Sequence, residues 1–485
     1  MVGAYIAIGV AAAVVIFFIV LIVRTALAKT AVLPKTEYAA KSPDKQRLTD
    51  ILVGAVQIET VTMQNQAKED GTKFFKYQEY IESQFPLVFA VAEKTLVNTY
   101  AAIYKVEGSD KSLLPLGILA HQDVVPAPAE GWEVPPFSGE IKDGCVYGRG
   151  SQDMKSQMVA ALEGLEMQLA AGEKLKRSIY FCFGHDEEFR GVEGATEISK
   201  YLERQGIRFE FVVDEGGTVL DGAILGIPKK IALIGTCEKG YADFHLSVEK
   251  VGGHASAPAR KTACGILAKA VYKLEKKKFK PFWSVPTSEM FDSLAPNMAG
   301  VFKFLFINRK VFSFLLKPVL GLVHPMTSCL IRTTLVPTQL KGADAPNVIP
   351  PRATATLNCR INTGDTVENV KKRIEKIAGK DVVVTIDKGW FDPCPVSPIS
   401  SYGYKTLEKT ISEVFNGFIT APFMFTAATD SKYYYNICEN VFRFTPFEKS
   451  EDDLSRIHAT NERQNIEQFV TGTEFFRRLY ENSCF

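Results

Sequence analysis

His121 and Asp123 stand two apart in GILAHQDVVP, where the apolar run Gly117 to Ala120 ends, so an imidazole and a carboxylate face the same way at the end of a strand. A carboxylate beside an imidazole fixes its tautomer and raises its basicity, which is the support that a metal-ligating histidine receives. Taken alone the pair is common, and a structural histidine hydrogen-bonded to a nearby aspartate accounts for it.

Later strand ends deposit more acids. GRGSQDMK, Gly148 to Lys155, puts Asp153 at the start of a helix after a glycine turn, where it serves as an ordinary N-cap, a metal ligand or both. GHDEE ends the next apolar run with Asp186, Glu187 and Glu188 in succession, and VVDEGG ends another with Asp214. Three adjacent acids at the end of a buried strand repel one another, so a bound cation explains them better than a solvated charge run. Together these ends form an oxygen- and nitrogen-rich edge suited to zinc or a similar divalent ion.

The elements that must carry this edge are readable from periodicity. LGILA (Leu116 to Ala120), SIYFCF (Ser178 to Phe183) and FEFVV (Phe209 to Val213) read as buried strands. Met154 to Ala171 and Val192 to Arg204 carry helical spacing and stop at Gly172 and Gly206. Alternating strand and helix predicts a mostly parallel sheet covered by helices, with ligands at the carboxyl ends of its strands. From about Gly240 to Trp390 the order becomes β-α-β-β-α-β, which predicts a ferredoxin-like α+β domain inserted into the first. The boundaries that follow are 1–24 for a transmembrane anchor or signal segment, 25–47 for a basic tether, 48–239 and 393–485 for a catalytic domain, and 240–392 for the insertion.

Length and composition agree with such a multidomain chain: 485 residues, 46% hydrophobic and 23% charged. A net charge of +2 gives no nucleic-acid footprint. Nine cysteines without close pairs imply neither a zinc-binding CxxC nor a disulfide framework. Val2 to Val23 carries no charge and is closed by Arg24 and Lys29. It is long enough to cross a bilayer, and it lacks the basic start and short apolar core of a cleaved signal, so an uncleaved anchor is the expectation. A second apolar stretch, Val301 to Val323, is interrupted by Lys303, Arg309, Lys310 and Lys317. It suits core packing, an interfacial helix beside the anchor, or the wall of an acyl-chain channel.

The collinear stretches AHQDVVPAPAEGWEVPPFSGEIKDGCVYGRGSQDMK, GHDEE, VVDEGG, VGGHASAP, NVIPP, NCRI and RIHATNE resemble the co-catalytic zinc exopeptidases, which include carboxypeptidase G, aminoacylase and succinyl-diaminopimelate desuccinylase. Within them the chain looks most like the branch of carboxypeptidase S and N-fatty-acyl-amino acid synthase/hydrolase. That branch usually has a second aspartate where this chain has Met154.

The resemblance implies that His121, Asp153 and Asp214 hold one zinc ion, and Asp153, Glu188 and His458 a second, with Asp153 bridging. Two such ions about 3.5–4 Å apart suit amide hydrolysis. By the same resemblance Glu187 is the general base, Asp123 orients His121, His254 meets the oxyanion, and Asn347 and Arg360 hold the substrate. The substrate implied is a peptide or N-acyl amino acid with a free carboxylate, cleaved beside that carboxylate, in a reaction open to reversal with fatty acyl groups. The inserted domain would act as a lid and allow a homodimer. The catalytic part is expected on the lumenal, extracellular or periplasmic side of a single-pass membrane protein, or in a secreted form if the first segment is cleaved. A catalytically silent, membrane-anchored binding protein keeping the fold is the competing reading, and the complete set of ligands and base weighs against it.

Overall fold

In the computed structural model the three short apolar runs form the strands Leu116–His121, Ile179–Gly184 and Phe211–Asp214. Every residue in them is buried, as a strand covered on both faces requires. Leu116–His121 pairs in parallel with both of the others, and Val441–Arg443 extends the parallel set beside Phe211–Asp214. The structure describes residues 2–29, 38–62 and 71–485, so part of the expected 25–47 tether, residues 30–37, lies outside the described residues.

The parallel centre sits in a mixed nine-stranded sheet. Antiparallel Ala101–Val106 and Ala92–Val97 form one flank, and Lys230–Glu238 with Ile419–Phe425 the other. Helix Lys155–Ala170 is buried along most of its length, between Leu116–His121 and the C-terminal helix Ile466–Cys484. Gly164 permits that approach, because a Cβ there would meet the backbone nitrogen of Arg477 at 2.6 Å. The nine cysteines are unpaired, and all but Cys264 and Cys329 are buried.

A second, four-stranded antiparallel sheet runs Thr334–Lys341, Arg352–Ile361, Gly240–Glu249, Val383–Ile386. With helices Ala263–Lys276 and Val367–Ala378 on one face it has the β-α-β-β-α-β order read from the sequence. Its two long strands alternate buried and half-buried residues, the mark of a sheet covered on one side.

The expected 240–392 unit does not pack as one body. Val285–Leu294, Gly300–Ile307, Ser313–Val323 and Pro325–Ile331 lie within it in sequence, yet Met290, Phe291, Phe306 and Leu316 join Ile231, Ile419 and Phe423 in a core at the edge of the large sheet. The small sheet's face is filled by its own two helices, and strand Ile419–Phe425 would otherwise be a bare edge. The N-terminal helix Val2–Leu27 is long and apolar enough to cross a membrane, and Leu21 is its one buried residue.

Candidate active site

The carboxyl ends of the parallel strands bring His121, Gly184 and Asp214 to one rim. His121 ends its strand with its Nδ1 2.9 Å from the backbone carbonyl oxygen of Asp123. That carbonyl can only accept, so Nδ1 carries a proton, and Nε2 is the nitrogen turned toward the acids. Nε2 faces Asp153 Oδ1 at 3.0 Å and Glu215 Oε1 at 3.4 Å.

Asp123 lies against His121 and against the acidic turn at once. Its carboxylate is 3.5 Å from His121 Nδ1 and also accepts from the backbone N–H groups of Glu187 and Glu188, each at 3.2 Å. It therefore fixes the turn Glu187–Phe189, which carries two of the acids, against the strand that carries His121.

Asp153 sits between two imidazoles, since its other oxygen is 3.0 Å from His458 Nε2, which is also 3.1 Å from Glu188 Oε2. Each imidazole is thus flanked by two carboxylate oxygens, with Asp153 common to both. His458 has a left-handed backbone at φ +62, a conformation that must be held by its surroundings. Glu462 supplies part of that hold. Buried completely, it pairs with Arg149 and accepts from the backbone N–H groups of Gln152 and Asp153 at 2.8 and 3.2 Å. One carboxylate thereby ties the Asp153 turn to the loop of His458.

The crowding has an electrostatic signature. Burial raises the carboxyls of Glu187 and Glu188, and burial followed by the charge of Asp153 pushes Glu215 up to about 8. The hydrogen bond that His458 donates to Asp153, then the one it donates to Glu188, lifts its imidazole to about 11. A divalent cation among these groups would relieve the repulsion that holds protons on the acids. His121, Asp153 and Glu188, and likewise His121, Glu187 and Glu215, offer ligand atoms within 4.8 Å of one another. One neutral nitrogen with two carboxylate oxygens is a donor set that zinc accepts, so the residues fit the metal the sequence implies.

Asp214 is not brought to the cluster in the expected way. Its oxygens accept from the backbone N–H groups of Glu215 at 2.9 Å and Ser431 at 2.8 Å, and the carboxylate beside His121 belongs to Glu215. Behind Asp214, the hydroxyls of Thr429 and Ser431 and the guanidinium of Arg443 converge on Glu238. Glu215 and Glu462 both lie inside stretches quoted from the sequence, VVDEGG and RIHATNE, so the signal was present without a way to choose between neighbours.

Of the other expected site residues, Arg360 lies on the four-stranded sheet, and His254 and Asn347 lie at a separate two-stranded ribbon. His254 lies on the short strand Gly253–His254 paired with Val348–Ile349, is exposed, and has Nδ1 2.7 Å from Ser256 Oγ. Asn347 is exposed beside it, its carbonyl accepting from Ala255 N at 3.0 Å. Arg360 lies over the ring of Tyr241 at 4.9 Å, and Arg190, just past the Glu187–Phe189 turn, approaches the same ring at 5.7 Å. Tyr241 thus joins the second sheet to the acidic turn. Among the described residues, no hydrogen bond or ion pair joins His254, Asn347 or Arg360 to the His121–His458 cluster.

Residues 117–482 match Peptidase family M20/M25/M40. The chain is 39% identical to an N-fatty-acyl-amino acid synthase/hydrolase of Xenopus tropicalis, over 97% of this chain and 93% of the relative. It is 37% identical to a probable carboxypeptidase S-like protein of Dictyostelium discoideum, over 85% and 80%. Among solved structures, an M20 family metallo-carboxypeptidase from Sulfolobus solfataricus superposes with a TM-score of 0.65 at 18% identity, covering 89% of this chain and 99% of that one. Human carnosine dipeptidase 1 superposes with 0.61 at 16% identity, covering 90% and 96%.

Proposed function

Given that the chain belongs to peptidase family M20/M25/M40 and is a hydrolase of amide bonds, we propose that it cleaves the amide next to a free α-carboxylate in N-acyl amino acids, using two zinc ions. The observation that carries this reading is the shared carboxylate of Asp153, 3.0 Å from both His121 Nε2 and His458 Nε2. His121, Asp153 and Glu215 would hold one ion, and Asp153, Glu188 and His458 the other. When bound, the pair supplies Lewis-acid polarisation of the scissile carbonyl and a water that ionises near neutral pH.

The remaining steps belong to the protein. Glu187, fixed by its backbone to Asp123, takes the proton of the attacking water and returns it to the departing nitrogen. Its burial favours a carboxyl able to hold that proton between the two transfers. Arg360 offers the planar fork that suits the substrate carboxylate. His254, exposed on its ribbon, meets the oxyanion from the facing chain of a homodimer, and Asn347, exposed beside it, helps to hold the substrate. In this reading the unit built on the four-stranded sheet is the lid.

The acyl half is assigned from the relatives, which include fatty-acyl enzymes, and from the apolar helix Val2–Leu27, read here as an uncleaved single-pass anchor that holds the catalytic part at a lipid surface. Each buried methylene contributes roughly 0.8 kcal/mol, so long-chain N-acyl amino acids should have larger kcat/KM than N-acetyl amino acids or dipeptides. Amino-acid release measured across acyl chains from two to sixteen carbons tests this. A kcat/KM that stays flat or falls along the series leaves a peptidase of the carboxypeptidase S kind.

A further inference from the structure

The hairpin Gly300–Ile307 and Ser313–Val323 is inside out. Phe306 and Leu316 reach the core at the sheet edge, whereas Phe314, Leu315, Pro318, Val319, Leu322 and Val323 are exposed. Those six fall at i, i+4 and i+8 in adjacent pairs, so one whole face of the helix is apolar and open, with Phe314 at 77%, Leu322 at 83% and Val323 at 71% exposure. Val301 and Phe302 are exposed on the preceding helix. A contiguous apolar surface of this kind marks a binding face.

Its neighbour identifies the occupant. The Val2–Leu27 helix packs against Gly300–Ile307 near its own C-terminal end. There Asn308 Nδ2 donates to Thr25 Oγ1 at 3.0 Å and to the carbonyl of Leu21 at 3.3 Å, and Leu21 is the buried residue of that helix. Arg24 and Lys29 close the apolar span, and Lys303, Lys310 and Lys317 interrupt the hairpin. If the span crosses a bilayer, its end at Leu21 to Thr25 stands at the headgroup level, and the hairpin docked there meets the same surface with apolar residues and ammonium groups together.

We infer that the exposed face of Ser313–Val323, with Val301 and Phe302, lies in the interface of the membrane crossed by the N-terminal helix and inserts its apolar side chains among the acyl chains. The inference rests on the anchor reading of Val2–Leu27 and is independent of the chemistry assigned to the active site. It fixes how the body sits: the Ile419–Phe425 edge of the large sheet faces the lipid, and the Ala92–Val97 edge lies farthest from it.

The test uses the full chain in vesicles of phosphatidylcholine and phosphatidylserine whose acyl chains carry bromine, a quencher of tryptophan fluorescence. Four variants each add one tryptophan: Phe314→Trp, Leu322→Trp, Val10→Trp in the anchor and Leu96→Trp on the far edge strand. The melting temperature of each variant reports whether it has folded. After subtraction of the parent signal, the added fluorescence of Phe314→Trp and Leu322→Trp should be quenched at least half as much as that of Val10→Trp, while Leu96→Trp stays unquenched. Quenching of Val10→Trp alone overturns the inference and leaves the anchor standing, with the face covered by a second copy or another protein. Absence of quenching at Val10→Trp overturns the anchor reading and the inference with it. Equal quenching at Leu96→Trp means undirected adsorption and also overturns the inference.

Discussion

Asp123 Oδ1 accepts the backbone N–H of Glu187 at 3.2 Å, so the expected base is positioned through its main chain while its carboxylate stays free to move a proton. Because the other Asp123 oxygen holds Glu188 in the same way, Asp123→Asn replaces one acceptor with a donor facing an N–H. Turnover should fall about 10- to 100-fold with zinc content retained, the scale seen when a supporting partner is lost. Steady-state kinetics and elemental analysis on the same preparation check this, and a kcat within twofold of the parent contradicts the positioning role.

Glu187→Gln removes the proton carrier while preserving shape and the main-chain anchor. Turnover should drop at least ~100-fold, with little change in metal content or melting temperature. If the variant emptied the site, Glu187 would be a ligand and the division of roles with Glu188 would be wrong.

Glu215 and Asp214 separate by the same logic. Glu215→Gln should lower zinc occupancy, because its oxygen is the one 3.4 Å from His121 Nε2. Asp214→Asn should keep zinc and lower the melting temperature, since it disturbs two hydrogen bonds to backbone N–H groups. Zinc lost from Asp214→Asn and kept in Glu215→Gln would restore the ligand expected from the sequence.

That pair shows where the sequence stopped being legible. Alternation along a strand tells which side chains face one way, but Phe211–Asp214 ends at the acid in question, and past its end the period of two no longer decides between neighbours. His121, Asp153 and the acids Asp186 to Glu188 stood out in the sequence because each closes, precedes or follows a regular element. His458 was not, for it sits in a left-handed loop held by Glu462 and Arg149, partners more than 300 residues apart. The β-α-β-β-α-β order was legible from periodicity alone. Periodicity could not say that the helices between Val285 and Ile331 would leave that unit for the bare edge of the large sheet, because strand order across a sheet has no local signal.

Arg443 and Glu238 form a completely buried ion pair, Nε to Oε1 at 2.8 Å, behind the Asp214 strand end. Arg443→Leu leaves Glu238 charged without its partner and should cost about 3–5 kcal/mol in denaturant unfolding, and Arg443→Leu with Glu238→Leu should recover much of that loss. A single variant within about 1 kcal/mol of the parent would mean that Thr429 and Ser431 suffice to hold Glu238.

Hydrolysis of an N-acyl amino acid by the same protein before metal removal, after dialysis against a chelator, and after return of zinc bears most directly on the two-ion reading of Asp153. Turnover should vanish with the metal and return as zinc rises toward two equivalents per chain, with the Asp153→Asn variant failing to recover. Unchanged turnover in the metal-free protein would contradict the account.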